Sequence, residues 1–212
     1  MYVKDKLGKQ IASLDKNQDF GMVYSAAIAI DEDGNEVFRY NQSGNKKKSY
    51  YEATESGWIY NKIAFYLPLT IILPSVMVRS KIMSVIGDFD EDLYRFEDLD
   101  MWRRISKKSK ILAINEPLCI VRTHSGNKME NPEDLYESQK KYVAKIFSED
   151  RDVGLLYKLK GTSNFYLHYG VAVWKNPDYK KSLSFKFFFQ YLKYWPFNIF
   201  KDFFILIFGK RP

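Results

Sequence analysis

Apolar and polar residues follow one another in blocks that predict alternating helices and strands in the first part of the chain. Leu7, Ile11 and Leu14 recur at steps of three and four, which predicts a helix over Tyr2–Lys16 with these residues on one side. The next block, Phe20–Ile30, reads FGMVYSAAIAI. It is short, apolar and bounded by turn residues, and this pattern is typical of a buried strand.

The middle of the chain continues the alternation of helices and strands. Pro74 indicates a bend before a short apolar strand at Ser75–Val78. From Leu99 onward, apolar residues recur at three- and four-residue steps and predict a helix. Two short strands, Ile111–Asn115 and Leu118–Arg122, are expected on either side of a Glu-Pro pair. The order of these elements predicts an α/β fold.

Helices dominate the prediction for the last part of the chain, residues 131–212. Asn131 is expected to cap a helix over Pro132–Phe147, because proline and two acidic residues occupy its first turn. Two more helices, Ser163–Trp174 and Tyr179–Tyr194, are expected to form a hairpin. We therefore predict a helical extension after the α/β part.

Cysteine content and the first residues bear on the cellular compartment. Cys119 is the single cysteine among 212 residues, which excludes an internal disulfide and fits a reducing compartment. Met1 is followed by a polar, charged stretch without an apolar core, so no secretory signal is expected. A cytoplasmic protein, peripheral on the inner face of the cell membrane, is the corresponding prediction.

The net charge of +7 is unevenly distributed along the chain. Residues 151–212 contain eleven Lys and Arg against three Asp and Glu, while the remainder contains 22 against 23. The whole basic excess therefore belongs to the last third. A basic region rich in aromatic residues favours a membrane surface, and no recognised nucleic-acid motif accompanies it.

The aromatic and basic tail, residues 183–212, has the pattern of an amphipathic anchor. Lys186, Lys193 and Lys201 recur at seven- and eight-residue steps, so they fall near one helical face among many aromatic residues. No charge-free run approaches the roughly 20 residues that a spanning helix needs. The alternative is a helix that packs onto the domain or onto a partner subunit.

A short segment at the centre of the chain concentrates the candidate chemistry. Phe89–Arg104 reads FDEDLYRFEDLDMWRR and holds six carboxylates. Glu97 and Asp98 stand where the helical pattern begins, and a carboxylate there is favoured by unpaired N–H groups and by the helix dipole. This position lets a carboxylate be held firmly and still face a cleft. The alternative is a solvated acidic loop with an N-cap.

The residues around this segment extend the pattern. The apolar strand at Ser75–Val78 and the basic Arg79 come first, and Gly-Asp-Phe-Asp-Glu follows at residues 87–91. The Glu97-Asp98 pair and an Asp-x-Trp-x-Arg sequence ending at Arg104 complete the order. This order resembles the acceptor-side half of family 2 glycosyltransferases, the inverting enzymes of the GT-A fold. The resemblance implies a partial GT-A, Rossmann-like domain with a mixed sheet, followed by a C-terminal helical tail.

A second stretch resembles the same family. Asn17–Ser25 and the turn at Ile30–Gly34 match the family pattern in the right order. In the family, the helix that corresponds to the first residues here follows an Asp-x-Asp motif that binds the metal and the sugar nucleotide. The resemblance therefore implies that residues 1–130 form the acceptor-side part of the domain. It also implies an N-terminally truncated fragment without the nucleotide-binding half.

The resemblance assigns roles to individual residues. Asp98 would be the general base that takes a proton from the acceptor hydroxyl, and Glu97 would raise its basicity or bind the acceptor. His124 would face the diphosphate or a divalent metal, Mn²⁺ or Mg²⁺, at a site left incomplete without Asp-x-Asp. The expected substrate-binding residues are Ser75, Arg79, Asp100, Trp102, Arg104 and Arg122.

Two functions follow from this pattern. The first is a glycosyltransferase that moves a sugar with inversion from a nucleotide-sugar donor to a glycan or lipid-linked acceptor, as in polysaccharide biosynthesis. The second is a catalytically inactive acceptor-binding or interaction module at a membrane surface, which the missing donor half favours.

Overall fold

The computed structural model describes residues 1–40, 46–48, 50–65, 71–123 and 131–198. Helices and strands alternate up to residue 122, and helices follow, which confirms the predicted α/β fold with a C-terminal helical region. The elements are α1 (Lys6–Lys16), β1 (Phe20–Ile30), β2 (Phe38–Tyr40), β3 (Lys46–Lys48), β4 (Tyr50–Tyr51), α2 (Tyr60–Ile63), β5 (Val76–Val78), α3 (Ser80–Ile86), α4 (Glu97–Lys108), β6 (Lys110–Arg122), α5 (Pro132–Glu149), α6 (Leu155–Lys175) and α7 (Lys181–Tyr194).

The main sheet is mixed and is built around β1. On one edge of β1, β6 runs parallel to it along nearly its whole length. On the opposite edge of β1, β5 and then β4 pair antiparallel with successive parts of the strand. Met22 lies opposite Val78 of β5, and Ala27 lies opposite Tyr51 of β4. Because β1 has neighbours on both edges and is almost entirely buried, its sequence is a continuous apolar run rather than an alternating one. This arrangement is consistent with a partial Rossmann-like domain. β2 and β3 form a separate two-stranded sheet.

The prediction of two short strands in residues 111–122 is wrong, because β6 is continuous. Its register against β1 shifts between Ser25 and Ala26, where the partner residue changes from Ile114 to Pro117. Two residues of β6 are left over at this bulge, so the strand passes the Glu-Pro pair without ending. One of them, Glu116, accepts a hydrogen bond from the Lys9 side chain of α1.

The outer edge of β6 is paired at both ends. Tyr2 forms an antiparallel bridge with Cys119, and Gly57 forms one with Ile111. The backbone N–H of Gly57 donates to the Ile111 carbonyl at 2.8 Å, and the Ile111 N–H donates back at 3.0 Å. Since an open strand edge invites pairing with other chains, these two short segments protect this edge of the sheet.

The helix α1 differs from its prediction in start and in orientation. It begins at Lys6 rather than at residue 2, because the first residues pair with β6 instead. Leu7 and Ile11 are 54% and 51% exposed, whereas Lys6 and Gln10 are buried beside Leu14. The predicted apolar face is therefore wrong.

Hydrogen bonds explain why polar side chains of α1 are buried. The Lys6 ammonium donates to Oε1 of Gln10 at 2.8 Å and lies 4.4 Å from the ring centroid of Tyr2. Nε2 of Gln10 donates to the Ser75 carbonyl at 2.8 Å. Buried polar groups are tolerated where they are hydrogen-bonded, and these bonds connect α1 to the segment before β5.

The chain divides into two compact units. One comprises Met1–Glu91 and Glu97–Lys128, and the other comprises Asp92–Phe96 and Met129–Pro212, with structure described for the ranges given above. The first unit contains the mixed sheet with α1 to α4. The second contains α5 to α7.

The second unit is a helical assembly held by aromatic side chains. The predicted cap is confirmed, since Oδ1 of Asn131 accepts a hydrogen bond from the Glu133 N–H at 2.9 Å. The predicted hairpin is also confirmed as α6 and α7, although α6 begins at Leu155 rather than at the predicted Ser163. Gly170 lets the two helices approach closely, because a Cβ there would lie 3.0 Å from Cβ of Phe187.

Among the residues that the structure describes, no helix combines the length and the apolar character needed to span a membrane. Of the predicted amphipathic tail, residues 199–212 lie outside the described part of the chain, Lys201 included.

Candidate functional site

The residue before α4 has an unusual backbone conformation. Phe96 has φ of 68°, in the left-handed region that bulky side chains rarely adopt. Such a conformation costs on the order of 1–3 kcal/mol and persists only where the surroundings hold it. In the second unit the Phe96 ring is buried, with ring centroids 5.9 Å from Tyr142, 5.2 Å from Phe165 and 5.5 Å from Tyr169. This aromatic cluster offsets the strain directly before α4 begins at Glu97.

Asp98 is the second residue of α4 and is half-buried. Its Oδ1 accepts a hydrogen bond from the Leu99 N–H at 2.6 Å. Burial raises the pKa of the Asp98 carboxyl, the negative charge of Glu97 adds to this effect, and the Leu99 hydrogen bond opposes it. A carboxylate with raised basicity at the start of a helix can accept a proton from a bound hydroxyl group. Glu97 is itself half-buried beside it.

Asp100 faces the protein interior instead. Its side chain is completely buried and accepts a hydrogen bond on Oδ1 from Nη2 of Arg103 at 2.7 Å. Oδ2 accepts from Nε of Arg104 at 2.8 Å. The predicted substrate-binding residue Asp100 is thus the centre of a buried ion network on α4. A position with both oxygens engaged by arginines favours a structural or positioning role over substrate contact.

Arg104 also binds the segment that precedes α4. Nη1 donates to the Ile86 carbonyl at 2.7 Å, and Nη2 donates to the Asp88 carbonyl at 2.8 Å. The guanidinium therefore connects the end of α3, the start of the acidic segment and Asp100. The planar, five-donor group of arginine suits such a junction, and lysine does not replace it.

Arg103 is a residue that sequence reasoning missed. It is almost completely buried, and its side chain is among the largest fully buried ones. The signal available in the sequence was its spacing, because residues three apart on a helix are neighbours and an Asp-x-x-Arg pair is complementary. That spacing would have identified the pairing with Asp100.

Trp102 is a second predicted site residue that the structure buries. It is 3% exposed, and its Nε1–H has no hydrogen-bond partner among the described residues. A buried N–H group without a partner is unusual in native proteins. Trp102 follows Asp98 by four residues, which places the two on the same side of α4. The indole therefore forms part of the apolar surroundings on that side of the helix.

The predicted residues before α4 bind backbone groups. Ser75 is buried in a 3₁₀ turn, and its Oγ donates to the Ile72 carbonyl at 2.7 Å. Arg79 donates from Nε to the Phe20 carbonyl at 2.8 Å and from Nη2 to the Leu14 carbonyl. Arg79 thus holds the junction of β5 and α3 against α1 and β1, and the Ser75 hydroxyl closes the turn before β5.

The last two predicted residues lie near the end of β6. Nη1 of Arg122 donates to the Asp31 carbonyl at 2.8 Å and to the Glu32 carbonyl at 2.5 Å, so it binds the turn after β1. His124 lies outside the described residues. Across the part of the chain that is described, no group of three or more His, Cys, Asp or Glu side chains is placed to hold a metal ion.

Comparison with known proteins gives one informative similarity. No family model matches the chain. Over 99 residues, the chain is 30% identical to an uncharacterised glycosyltransferase of Methanocaldococcus jannaschii. The match covers 47% of this chain and 30% of the archaeal protein, so the chain spans less than a third of that relative's length. This similarity supports a glycosyltransferase relationship at a general level.

Proposed function

We propose that this chain is the acceptor-side part of an inverting glycosyltransferase of family 2 with a GT-A fold. The observation that carries the proposal is Asp98, a half-buried carboxylate in the first turn of α4 whose pKa is raised by burial. The similarity to an archaeal glycosyltransferase supports the same class. The donor is a nucleotide sugar, and the acceptor is a glycan or a lipid-linked sugar.

The reaction assigns one proton transfer to Asp98. The acceptor hydroxyl gives its proton to the Asp98 carboxylate while its oxygen forms a bond to the anomeric carbon of the donor sugar. The bond between that carbon and the diphosphate oxygen breaks on the opposite face, and the electron pair leaves with the nucleoside diphosphate. This single displacement inverts the anomeric centre. Burial and the Glu97 charge both favour proton uptake by Asp98.

The ion network of Asp100, Arg103 and Arg104 acts as positioning machinery in this proposal. It fixes the first turn of α4 to the α3 end through the Ile86 and Asp88 carbonyls. A general base must stay within hydrogen-bond reach of its substrate, and an error of about 1 Å in placement is costly. The network therefore restricts the movement of the helix turn that carries Asp98.

The family resemblance implies a divalent metal at the diphosphate. The described residues do not include a cluster that fits this ion, and His124 lies outside them. The proposed chemistry therefore takes no step through a metal. Substrate binding by Arg122 stays a prediction from the resemblance.

A second candidate is a glycan-binding module without transferase activity. It rests on the same half-buried Glu97-Asp98 pair at the start of α4. In this case Glu97 and Asp98 would bind acceptor hydroxyls as hydrogen-bond acceptors. The surrounding network would serve the same positioning purpose.

A paired binding and transfer experiment tests both candidates. The chain is titrated calorimetrically with UDP-glucose, UDP-galactose, UDP-N-acetylglucosamine and GDP-mannose, each with Mg²⁺ or Mn²⁺. It is then tested for transfer of labelled sugar to an immobilised glycan array. Transfer that is lost in Asp98→Asn supports the enzyme. Glycan binding without donor binding or transfer, both by this chain and by a longer chain that adds a nucleotide-binding half, supports the module. Absence of both glycan binding and transfer contradicts both candidates.

A further inference from the structure

The helix α7 is apolar on two opposite sides. One side carries Leu183, Phe187 and Tyr191, which are buried within the second unit. The other side carries Phe185, Phe189 and Leu192 at four- and three-residue steps, and they are 52%, 71% and 37% exposed. Residues at this spacing share one helical stripe. The solvent side of α7, which in a surface helix is normally polar, is therefore a row of large apolar side chains.

A tryptophan of α6 extends this stripe. The Trp174 ring lies edge-on to Phe185, with centroids 6.0 Å apart, and Trp174 is itself partly exposed. We call the surface formed by Trp174, Phe185, Phe189 and Leu192 the α7 aromatic face. Contiguous exposed apolar surface of this kind marks an interaction site in soluble proteins.

Positive charges border the α7 aromatic face. Lys186 and Lys193 are seven residues apart, so they lie on the same side of α7 next to the apolar stripe. Lys181 adds a third ammonium group, which donates to the Trp174 carbonyl. No Asp or Glu occurs within α7. The basic side chains therefore surround an apolar surface without acidic residues on the helix itself.

An exposed acidic contact at this border does not neutralise it. Nζ of Lys186 lies 3.6 Å from Oε1 of Glu133, and both side chains are largely exposed. Exposed pairs of this type contribute little, because water and salt screen them. Nζ of Lys193 lies 5.9 Å from the ring centroid of Tyr194. Residues 151–212 as a whole carry eleven Lys and Arg against three Asp and Glu.

We propose that the α7 aromatic face binds the surface of a bilayer that carries anionic headgroups. The helix lies in the plane of the membrane, the rings of Phe185 and Phe189 enter the boundary between headgroups and acyl chains, and the lysines contact the headgroups. Trp174 suits this depth, because its ring is apolar and its N–H is polar. This inference goes beyond the proposed function and does not depend on it.

Charge favours a lipid surface over a second copy of the chain. A two-fold interface through the α7 aromatic face would bring the lysine borders of two copies together. Like charges in apposition disfavour that arrangement, while anionic headgroups complement it. The partner that fits both the apolar stripe and its basic border is therefore an acidic membrane surface.

Vesicle sedimentation with the full chain tests the apolar part of the proposal. The vesicles contain either phosphatidylcholine alone or phosphatidylcholine with about one third phosphatidylglycerol, a composition chosen to give a strongly anionic surface. We expect binding to the anionic vesicles. The double substitution Phe185→Ser/Phe189→Ser should weaken it by about tenfold or more for each ring removed from the membrane.

The same vesicle assay tests the role of the lysine charges with separate variants. Lys186→Gln/Lys193→Gln should weaken binding to the anionic vesicles by about fivefold for each lysine, and 0.5 M salt, taken as a strongly screening concentration, should have a similar effect. Equal binding of the unmodified chain to neutral and anionic vesicles would overturn the proposal. So would full binding by the double serine variant.

Two controls separate the membrane effect from a loss of structure or from self-association. Trp58→Ser removes an aromatic side chain that is 63% exposed in the first unit, and it should leave vesicle binding unchanged. Circular dichroism and denaturant unfolding of the serine variant should match the parent, because both phenylalanines are exposed. Dimerisation that depends on Phe185 and Phe189, without vesicle binding, would assign the face to a second copy and overturn the membrane proposal.

Discussion

Arg104 donates from Nε to Oδ2 of Asp100 at 2.8 Å, and the Asp100 side chain that accepts this bond is completely removed from solvent. Arg103 binds the other carboxylate oxygen. The buried negative charge of Asp100 is therefore shared between the guanidinium groups of Arg103 and Arg104 on the same helix. Because the same arginine reaches the Ile86 and Asp88 carbonyls, the pairing connects the interior of α4 to the segment that leads into Asp98.

Removal of the shared carboxylate should be strongly destabilising. Asp100→Ala removes the carboxylate to which the buried Arg103 donates, and breaking a buried ion pair in this way costs about 3–5 kcal/mol. Guanidinium unfolding monitored by circular dichroism measures this difference in the free energy of unfolding. The matched control is Glu137→Ala on α5, whose pair with Lys140 has side chains that are 61% and 46% exposed.

The control substitution should cost less than about 1 kcal/mol, because exposed ion pairs contribute little. Equal effects of Asp100→Ala and Glu137→Ala would show that the buried network does not stabilise α4. That outcome would also remove the argument that it positions Asp98.

Gly21 lies where the described structure leaves no room for a side chain. A Cβ there would lie 2.4 Å from Oγ of Ser109 and 2.6 Å from Cγ1 of Ile82. Gly21→Ala forces β1, α3 or the start of β6 to shift, and we expect a loss of about 1–3 kcal/mol. Thermal unfolding by calorimetry provides the measurement.

Gly8 provides the contrasting substitution. It lies in α1, and a Cβ there would meet no atom within 4 Å. Gly8→Ala should raise the free energy of unfolding by about 0.5–1 kcal/mol through helix propensity. If Gly21→Ala is as stable as the parent or more stable, the close packing around Gly21 does not exist in solution.

The raised pKa of Asp98 predicts a specific pH dependence of stability. Between its ordinary value and its raised value, the folded state binds more protons at this site than the unfolded state. Stability from this group is therefore present at low pH and is lost as pH rises through the raised pKa. Asp98→Asn removes the penalty, so the variant should be more stable than the parent at neutral pH.

Urea unfolding at intervals from pH 4 to pH 8 measures this effect. The advantage of the Asp98→Asn variant should be smallest at the acidic end and should grow to a plateau as pH rises. A constant difference across this range, or a variant less stable than the parent at pH 8, would contradict burial of the charged carboxylate.

The order of elements in the first unit could be predicted from the sequence, but the orientation of α1 could not. Apolar periodicity placed Leu7, Ile11 and Leu14 on one side of the helix, and of these three Leu14 is buried. The structure instead buries Lys6 and Gln10, because Gln10 donates to the carbonyl of Ser75, 65 residues further along the chain. A hydrogen bond between distant segments leaves no trace in local periodicity, so pattern analysis places the wrong side of the helix inward.

The candidate site, too, could be predicted from the sequence only in part. The concentration of acidic residues and the helix start at Glu97 could be read from the sequence, and the structure places Asp98 half-buried in that first turn. The resemblance made Asp98 the general base and Asp100 a substrate-binding residue, but the sequence did not indicate that Asp100 is buried in an ion network. Only packing separates them, because Asp100 turns inward to Arg103 and Arg104.

The central claim is that Asp98 takes the proton from the acceptor hydroxyl, and steady-state kinetics of sugar transfer by Asp98→Asn test it most directly. Measured in a transferase that joins this chain to a nucleotide-binding half, with Glu137→Gln as the control, the account predicts a fall in kcat/KM for the acceptor of at least about 100-fold, with the Kd of the nucleotide sugar nearly unchanged. A variant that retains turnover close to that of the parent would contradict it.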